Sequence, residues 1–356
     1  MNRRNFLRTH AAALVAGVAG VQAQERSEAR IRAGQIGTTH AHAAGKMAAM
    51  RKLDRLYEVV GVVEPDDDRW EKIKEDDVYS GVPRLTMEQL LGSPGLQAVA
   101  VETDIDDLVP TALSCVQAGM HVHLDKPAGV ALEDLKALHR AAAAGRRAIQ
   151  MGYMLRFNPG IQFCRQAIDA GWLGDVFEVH AVMSKTIGGE SRGPLARYPG
   201  GAMFELGCHL IDSIVGMLGK PEKVTPFLRR SREADGDSLA DNCLAVLEYP
   251  NATATVRTAL MEVQGQERRQ FTVCGDGGTV DIRPLEPPRL RLALSEARGK
   301  FHRGYQDFDL PKAPGRYDDE FVELAAIIRG EKEPQFSLAH DLDVHETILR
   351  ASGMVL

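Results

Sequence analysis

The residues best suited to chemistry lie in the segment GGAMFELGCHLIDSIVGML, residues 200–218, where Glu205, His209 and Asp212 stand at i, i+4 and i+7. That spacing places three ionisable groups on one helix face. An imidazole with a carboxylate one turn to either side suits a general base near neutral pH, one acid fixing its tautomer. The same pattern also describes a solvated helix face. The apolar Met203, Phe204, Leu206, Leu210, Ile211 and Ile214 around it favour a cleft wall. Lys126, in LDKPAG, follows the strand-like run MHVHLDKP. It stands at the edge where open parallel sheets hold ligands, and Pro127 keeps its backbone extended. A Lys-Pro pair in a loop also reads as a plain turn.

The run IRAGQIG ends at Gly37, and a helix follows within a few residues. Free N–H groups and a positive dipole end make such a turn a place for a pyrophosphate. The turn residues are Gly37, Thr38, Thr39 and His40. Of the G-x-G-x-x-G fingerprint only Gly37 matches, with Thr39 and His42 at the other two positions. A simple tight turn explains Gly37 equally well. Glu64 ends the second strand, 64 − 37 = 27 positions on, where an acid can accept both ribose hydroxyls. Asp66, Asp67 and Asp68 come next and no arginine directly follows Glu64, which favours NAD over NADP. The same acids can cap the next helix. A metal-dependent hydrolase or lyase is a different reading, if His40, His42, His121, His123 and His209 cluster with Glu205 or Asp212. Histidines in a strand such as HVHL also serve as packing residues.

The elements that must position these groups alternate. Strand-like IRAGQIG, YEVVGVVEP, LQAVAVET and MHVHLDKP are separated by helical stretches near residues 42–56, from Pro65 and the acids of 66–68 onward, near 87–91 and near 108–118, with a further helix at 132–144. This pattern predicts an α/β class, with a doubly wound parallel sheet over residues 30–151. From residue 152 the character changes. A helix at 158–170, the strand VFEVHAVMS, a Gly-rich loop over 187–201 and the helix of 200–218 precede the strand-like NCLAVLEY, ATATVRTALME, RRQFTVCG and GTVDIRP. Residues 152–336 are therefore expected to form an α+β domain with a large antiparallel sheet. The helix of 337–356 is expected to return to the first domain. The loop of 187–199, with Arg192, Arg197 and Tyr198, is the place for substrate specificity.

With 356 residues, 44% of them hydrophobic, the chain can bury a sizeable core. Its net charge of −6, with basic residues scattered among acids, excludes a phosphate-binding stripe and hence nucleic acid as a partner. The five cysteines are widely spaced and odd in number, so neither a zinc knuckle nor a disulfide framework is expected. Residues 1–23 run MNRRNFLR, then AAALVAGVAGV, then Val21-Gln22-Ala23. This pattern is that of a twin-arginine signal with a cleavage site, which predicts a periplasmic or otherwise exported protein. No later run reaches the ~20 apolar residues of a membrane span.

Gly37 with His40 and His42, Glu64, Asp125-Lys126-Pro127, and GG…ELGCHLID from Gly200 to Asp212 together resemble the Gfo/Idh/MocA oxidoreductases, from about residue 30 to the end of the chain. The resemblance implies a Rossmann domain, a cofactor NAD(P), with NAD preferred, and a substrate that is a sugar, polyol or glycoside. It implies that Lys126 sits beside the nicotinamide and polarises the developing alkoxide, and that His209 takes the hydroxyl proton. Glu205 would orient His209, and Asp212 would hold a substrate hydroxyl or Lys126. Tyr153 and Arg156, in GYMLRFNP, match a stretch that passes near cofactor and sugar, and the second-domain sheet would form a homo-oligomer interface. Asp125 and Glu205 are conservative departures from the family's Glu and Asp, whereas Thr39 puts a side chain where a phosphate approaches. No metal is expected. Exported relatives keep their cofactor, either passing a hydride between two sugars or oxidising a sugar transiently to break a glycosidic bond. A hydrolase or lyase of that redox-neutral kind, and a non-catalytic sugar-binding homologue, are the alternatives within the resemblance.

Overall fold

The computed structural model describes residues 29–232 and 236–355. The expected twin-arginine signal, residues 1–23, lies outside them.

The first domain alternates as its apolar pattern requires. β1 (Ile31–Ile36), α1 (Ala43–Lys52), β2 (Tyr57–Val63), α2 (Asp67–Ile73), α3 (Met87–Leu91), β3 (Leu96–Val101), α4 (Ile105–Gln117), β4 (His121–Leu124), α5 (Leu132–Gly145) and β5 (Ile149–Met151) follow in order. The five strands form a parallel sheet in the order β2-β1-β3-β4-β5. Ala33, Val99, Val101, Val122 and Leu124 are buried in it, as in strands covered on both faces. α1 ends before the expected residue 56, because the chain turns at Leu53 to enter β2. Asp66 caps α2 by accepting from the Arg69 amide, as its acidic run suggested.

The second domain contains α6 (Pro159–Asp169), β6 (Val176–Ser184), α7 (Gly189–Ala196), α8 (Cys208–Leu218), β7 (Lys223–Arg229), β8 (Asn242–Glu248), β9 (Thr253–Ala259), β10 (Gln270–Gly275), β11 (Gly278–Leu285), β12 (Pro288–Leu294) and β13 (Gly304–Phe308). Its strands make one sheet in the order β13-β12-β11-β10-β6-β9-β8-β7. The sheet is antiparallel apart from one internal pair, β6 and β9, which run parallel. Three strands escape the sequence pattern for local reasons. β7 carries Pro226, tolerated because it is an edge strand. β12 alternates with arginines, and β13, the other edge, has five mostly polar residues. The Gly-rich segment expected to be a loop contains α7.

α9 (Asp318–Ile328) and α10 (Leu338–Ala351) close the chain. α9, assigned by sequence to the second domain, packs on the first. Tyr57 Oη donates to the Phe321 carbonyl at 2.7 Å, Gln150 Nε2 to that of Glu320 at 3.0 Å, and Lys46 pairs with the Glu320 carboxylate. Phe321 and Leu324 are buried there, each worth about 1.5–3 kcal/mol of apolar burial. α10 lies against α8 and β7 of the second domain as well as α5 of the first, so it joins the two rather than belonging to one.

Candidate functional site

In the order β2-β1-β3 the chain leaves β1 on one side and returns on the other, which opens a crevice at the carboxyl ends of β1 and β3. Gly37 sits there with φ +86°, and a Cβ on it would lie 2.8 Å from the carbonyl carbon and oxygen of Glu102 at the end of β3. Only glycine fits. A cavity of about 590 Å³ opens beside it, lined by Gly37, Glu64, Arg84, Gln89, Thr103 and Asp107 among others. Glu64 Oε1 accepts the Asp66 amide at 2.9 Å, and Oε2 accepts the Thr38 hydroxyl. Glu64 Oε2 also lies 3.6 Å from Arg69 Nε, so a ribose hydroxyl would share this carboxylate with Thr38 and Arg69, and the glycine turn with its adjoining cavity fits a dinucleotide. Although no arginine directly follows Glu64, two reach this turn. Arg69 Nε donates to Thr38 Oγ1 at 2.6 Å, and Arg84 Nε to the Glu64 carbonyl at 2.8 Å. Thr39, by contrast, is exposed.

Gly200 and Gly201 open the helix carrying His209. Gly201 has φ +44°, and a Cβ there would meet the Ala240 carbonyl oxygen at 2.3 Å, so the helix entry is pressed against the segment before β8. Residues Met203–Gly207 then form a wide π-type turn leading into α8, a feature frequent at functional sites. The three acid-base groups of this helix diverge. Lys126 Nζ donates to the Glu205 carbonyl at 3.1 Å and lies 3.8 Å from Glu205 Oε1, while Lys185 Nζ donates to Oε1 at 3.2 Å. Burial opposes the Glu205 charge, but Lys126 and Lys185 outweigh it and bring its pKa down to about 2. Burial likewise disfavours the Lys126 ammonium, and Cys208, Glu205 and Asp125 together hold its pKa above the ordinary value. Glu205 therefore secures two lysines. No hydrogen bond joins it to His209 among the described residues.

His209 is buried, and its Nδ1 has no hydrogen-bond partner. Burial, then the neighbouring charge of Lys126, holds its pKa well below the ordinary value, so the imidazole is neutral at neutral pH. His42 and Tyr153 flank it, with ring centroids at 5.8 and 6.3 Å. Asp212 faces elsewhere. Arg156 Nη2 donates to Asp212 Oδ1 at 2.7 Å and to Asp341 Oδ1 of α10 at 2.6 Å, and its Nε donates to Asp212 Oδ1 at 3.0 Å. The expectation that Asp212 holds substrate or Lys126, and that Arg156 lies along the ligand, gives way to a buried clamp between α8 and α10. Arg192, expected in a specificity loop, is likewise buried against Asp237 and Asp241, and Tyr198 packs on Phe204.

The histidines divide. His121 Nδ1 accepts the Ala148 amide at 3.0 Å, and His123 Nδ1 pairs with Gln150 Oε1 at 3.1 Å, so both are packing residues of β4. His40 and His42 converge on Asp125, at 3.0 and 3.2 Å. Glu102 and Lys185 are site residues the sequence reading passed over. Glu102 follows directly on β3 at the carboxyl end of the parallel sheet, where ligands gather, and that position was the available signal; Lys185, after β6 of the other sheet, carries no such signal.

Residues 31–153 match the family described as "Oxidoreductase family, NAD-binding Rossmann fold", and residues 161–281 match "GFO/IDH/MocA C-terminal domain". The chain is 30% identical over 228 residues to inositol 2-dehydrogenase 1 of Saccharopolyspora erythraea, covering 63% of this chain and 66%, just under two thirds, of that protein. It is 25% identical over 284 residues to trans-1,2-dihydrobenzene-1,2-diol dehydrogenase of Sus scrofa, covering 75% and 81% of the two chains. Among solved structures, aldose-aldose oxidoreductase from Caulobacter crescentus has a similar fold, with a TM-score of 0.75 at 19% identity over 91% of this chain and 97% of that one.

Proposed function

Because the chain belongs to the Gfo/Idh/MocA oxidoreductase family, we propose that it oxidises a CH–OH group of a sugar, polyol or glycoside, or reduces the corresponding carbonyl, with a retained NAD cofactor outside the cytoplasm. The observation that carries this is His209: a buried neutral imidazole with an unbonded Nδ1, beside the Lys126 ammonium at the carboxyl edge of the parallel sheet. Buried polar atoms are ordinarily paired, so one left open asks for a ligand. The His209 imidazole receives the proton of the substrate hydroxyl. Lys126 spends one donor on the Glu205 carbonyl and directs the remaining N–H groups at the developing alkoxide. Glu205 and Lys185 fix the direction of that lysine. NAD, when bound, supplies the hydride acceptor, with Gly37, Thr38 and Glu64 as the residues of this chain that hold its adenosine end. Thr39 and His40 belong to the same turn, whereas Tyr153 flanks His209 and Arg156 is held by Asp212 and Asp341.

Export follows from the Arg3-Arg4 segment and the Ala23 cleavage pattern, and retention follows from export, since a freely exchanging cofactor has no pool to recycle it there. A homo-oligomer through the large sheet accords with Phe177 and Phe227, which stay exposed on β6 and β7.

The test is to express the full chain in a host competent for twin-arginine export, purify it from the periplasm without nucleotide, denature it and identify any released dinucleotide. Near-stoichiometric NAD(H) is expected. His209→Asn should retain that nucleotide and lose roughly 10²–10⁴ in turnover. Absence of nucleotide together with failure to bind micromolar NAD would sink the proposal.

A further inference from the structure

We infer that His40, His42 and Asp125 form a binding site for one divalent transition cation of the zinc class, with Glu102 within reach as a fourth ligand. The argument begins with a tautomer. His40 Nε2 lies 3.0 Å from the Lys126 carbonyl oxygen, which can only accept, so Nε2 carries the proton. In the neutral ring Nδ1 is then a lone pair. That lone pair faces Asp125 Oδ2 at 3.0 Å and Glu102 Oε2 at 3.8 Å, and the donor it has is the His42 amide at 3.3 Å. A metal-bound histidine typically shows this arrangement, one ring nitrogen donating to a carbonyl and the other turned to the ion.

The second ring completes the set. His42 Nδ1 stands 3.2 Å from both oxygens of Asp125, and ligand atoms of the three residues lie within 4.8 Å of one another. Around a tetrahedral ion with bonds of about 2.0–2.1 Å, neighbouring ligand atoms are about 3.3 Å apart. The observed spacings therefore need little adjustment. Nitrogen and oxygen donors without thiolate suit a borderline ion such as Zn²⁺ or Co²⁺ rather than Ca²⁺ or Mg²⁺.

Charge gives an independent reason. Glu102 and Asp125 are both fully buried. Neither has a lysine or arginine salt bridge among the described residues, since nearby Lys46 is spent on Glu320. Neither oxygen of Glu102 accepts a hydrogen bond. Two adjacent buried carboxylates need either a shared proton or a cation between them. Metal binding is independent of the redox reading, because it needs neither substrate nor dinucleotide.

The experiment uses the full chain without an affinity tag, stripped with chelator and titrated with Co²⁺ alone, then Zn²⁺ as competitor. One Co²⁺ per chain with visible d–d absorption of tetrahedral strength, displaced by Zn²⁺, is expected. His42→Ala and His40→Ala should each weaken affinity at least roughly tenfold, Asp125→Asn similarly, and His121→Ala should leave it unchanged, with circular dichroism confirming that each variant is folded. His42, partly exposed at the site, is the variant least at risk of misfolding. The inference is overturned by absence of saturable uptake at millimolar Co²⁺ and Zn²⁺, which would leave a shared proton as the charge compensation, or by uptake that His42→Ala and Asp125→Asn do not alter.

Discussion

Replacing Arg156 with leucine separates a structural clamp from a ligand contact. The guanidinium is buried and bonds the carboxylates of Asp212 and Asp341, whose side chains are 1% and 2% exposed. It also stacks on Phe336 and Tyr153, with centroid distances of 4.0 and 5.0 Å. Among the described residues, removing it leaves Asp341 without a lysine or arginine partner and Asp212 with only the His340 imidazole, at 3.6 Å. Breaking a buried ion pair from one side costs about 3–5 kcal/mol, and α10 would lose its main polar attachment to α8. At about 2 °C per kcal/mol for a chain of this size, the melting temperature should fall by roughly 6–10 °C. The triple variant Arg156→Leu, Asp212→Asn, Asp341→Asn should recover much of that loss, because it removes the stranded charges with the cation. Thermal and urea unfolding followed by circular dichroism reads both effects. An unchanged melting temperature combined with weakened NAD binding would refute the clamp and return Arg156 to the ligand.

Two further outcomes follow from the same reasoning. Gly37→Ala adds a Cβ 2.8 Å from the Glu102 backbone at φ +86°. This substitution should cost roughly 2–4 kcal/mol and displace the turn, seen as weaker NAD binding by calorimetry. His345 in α10 is buried with both ring nitrogens unbonded, and burial, then the charge of His139, brings its pKa from 6.5 down to about 3. Its folded pKa lies below the unfolded value, so the unfolded chain takes the proton first. The contribution is complete above pH 6.5 and shrinks between pH 6.5 and about 3. At pH 5 the loss is on the order of 2 kcal/mol. His345→Leu should flatten the difference in urea stability between pH 7 and pH 5 by about that amount, and an unaltered slope would show that His345 already holds a hydrogen bond.

The parts of the site legible in sequence are those fixed by topology. Gly37, Glu64 and Lys126 all sit just beyond strands of a parallel sheet, and the position of a strand end is carried by local apolar runs. Helical spacing is a weaker guide, as the segment of Glu205, His209 and Asp212 illustrates. Periodicity places three residues on one face of an isolated helix. It does not say what that face meets. The π-type turn at Met203–Gly207 widens the spacing before His209, and the partners come from far along the chain, Lys126 for Glu205 and Asp341 for Arg156, the latter 185 positions away. The same limit applies to His40 and His42. Their convergence on Asp125 depends on the β1 turn and the end of β4 meeting across β3, a long-range closure with no local sequence signature. Where strand ends converge, the groups left without partners, His209 Nδ1 and the Glu102 carboxylate, mark the chemistry more reliably than the residues whose spacing first suggested it.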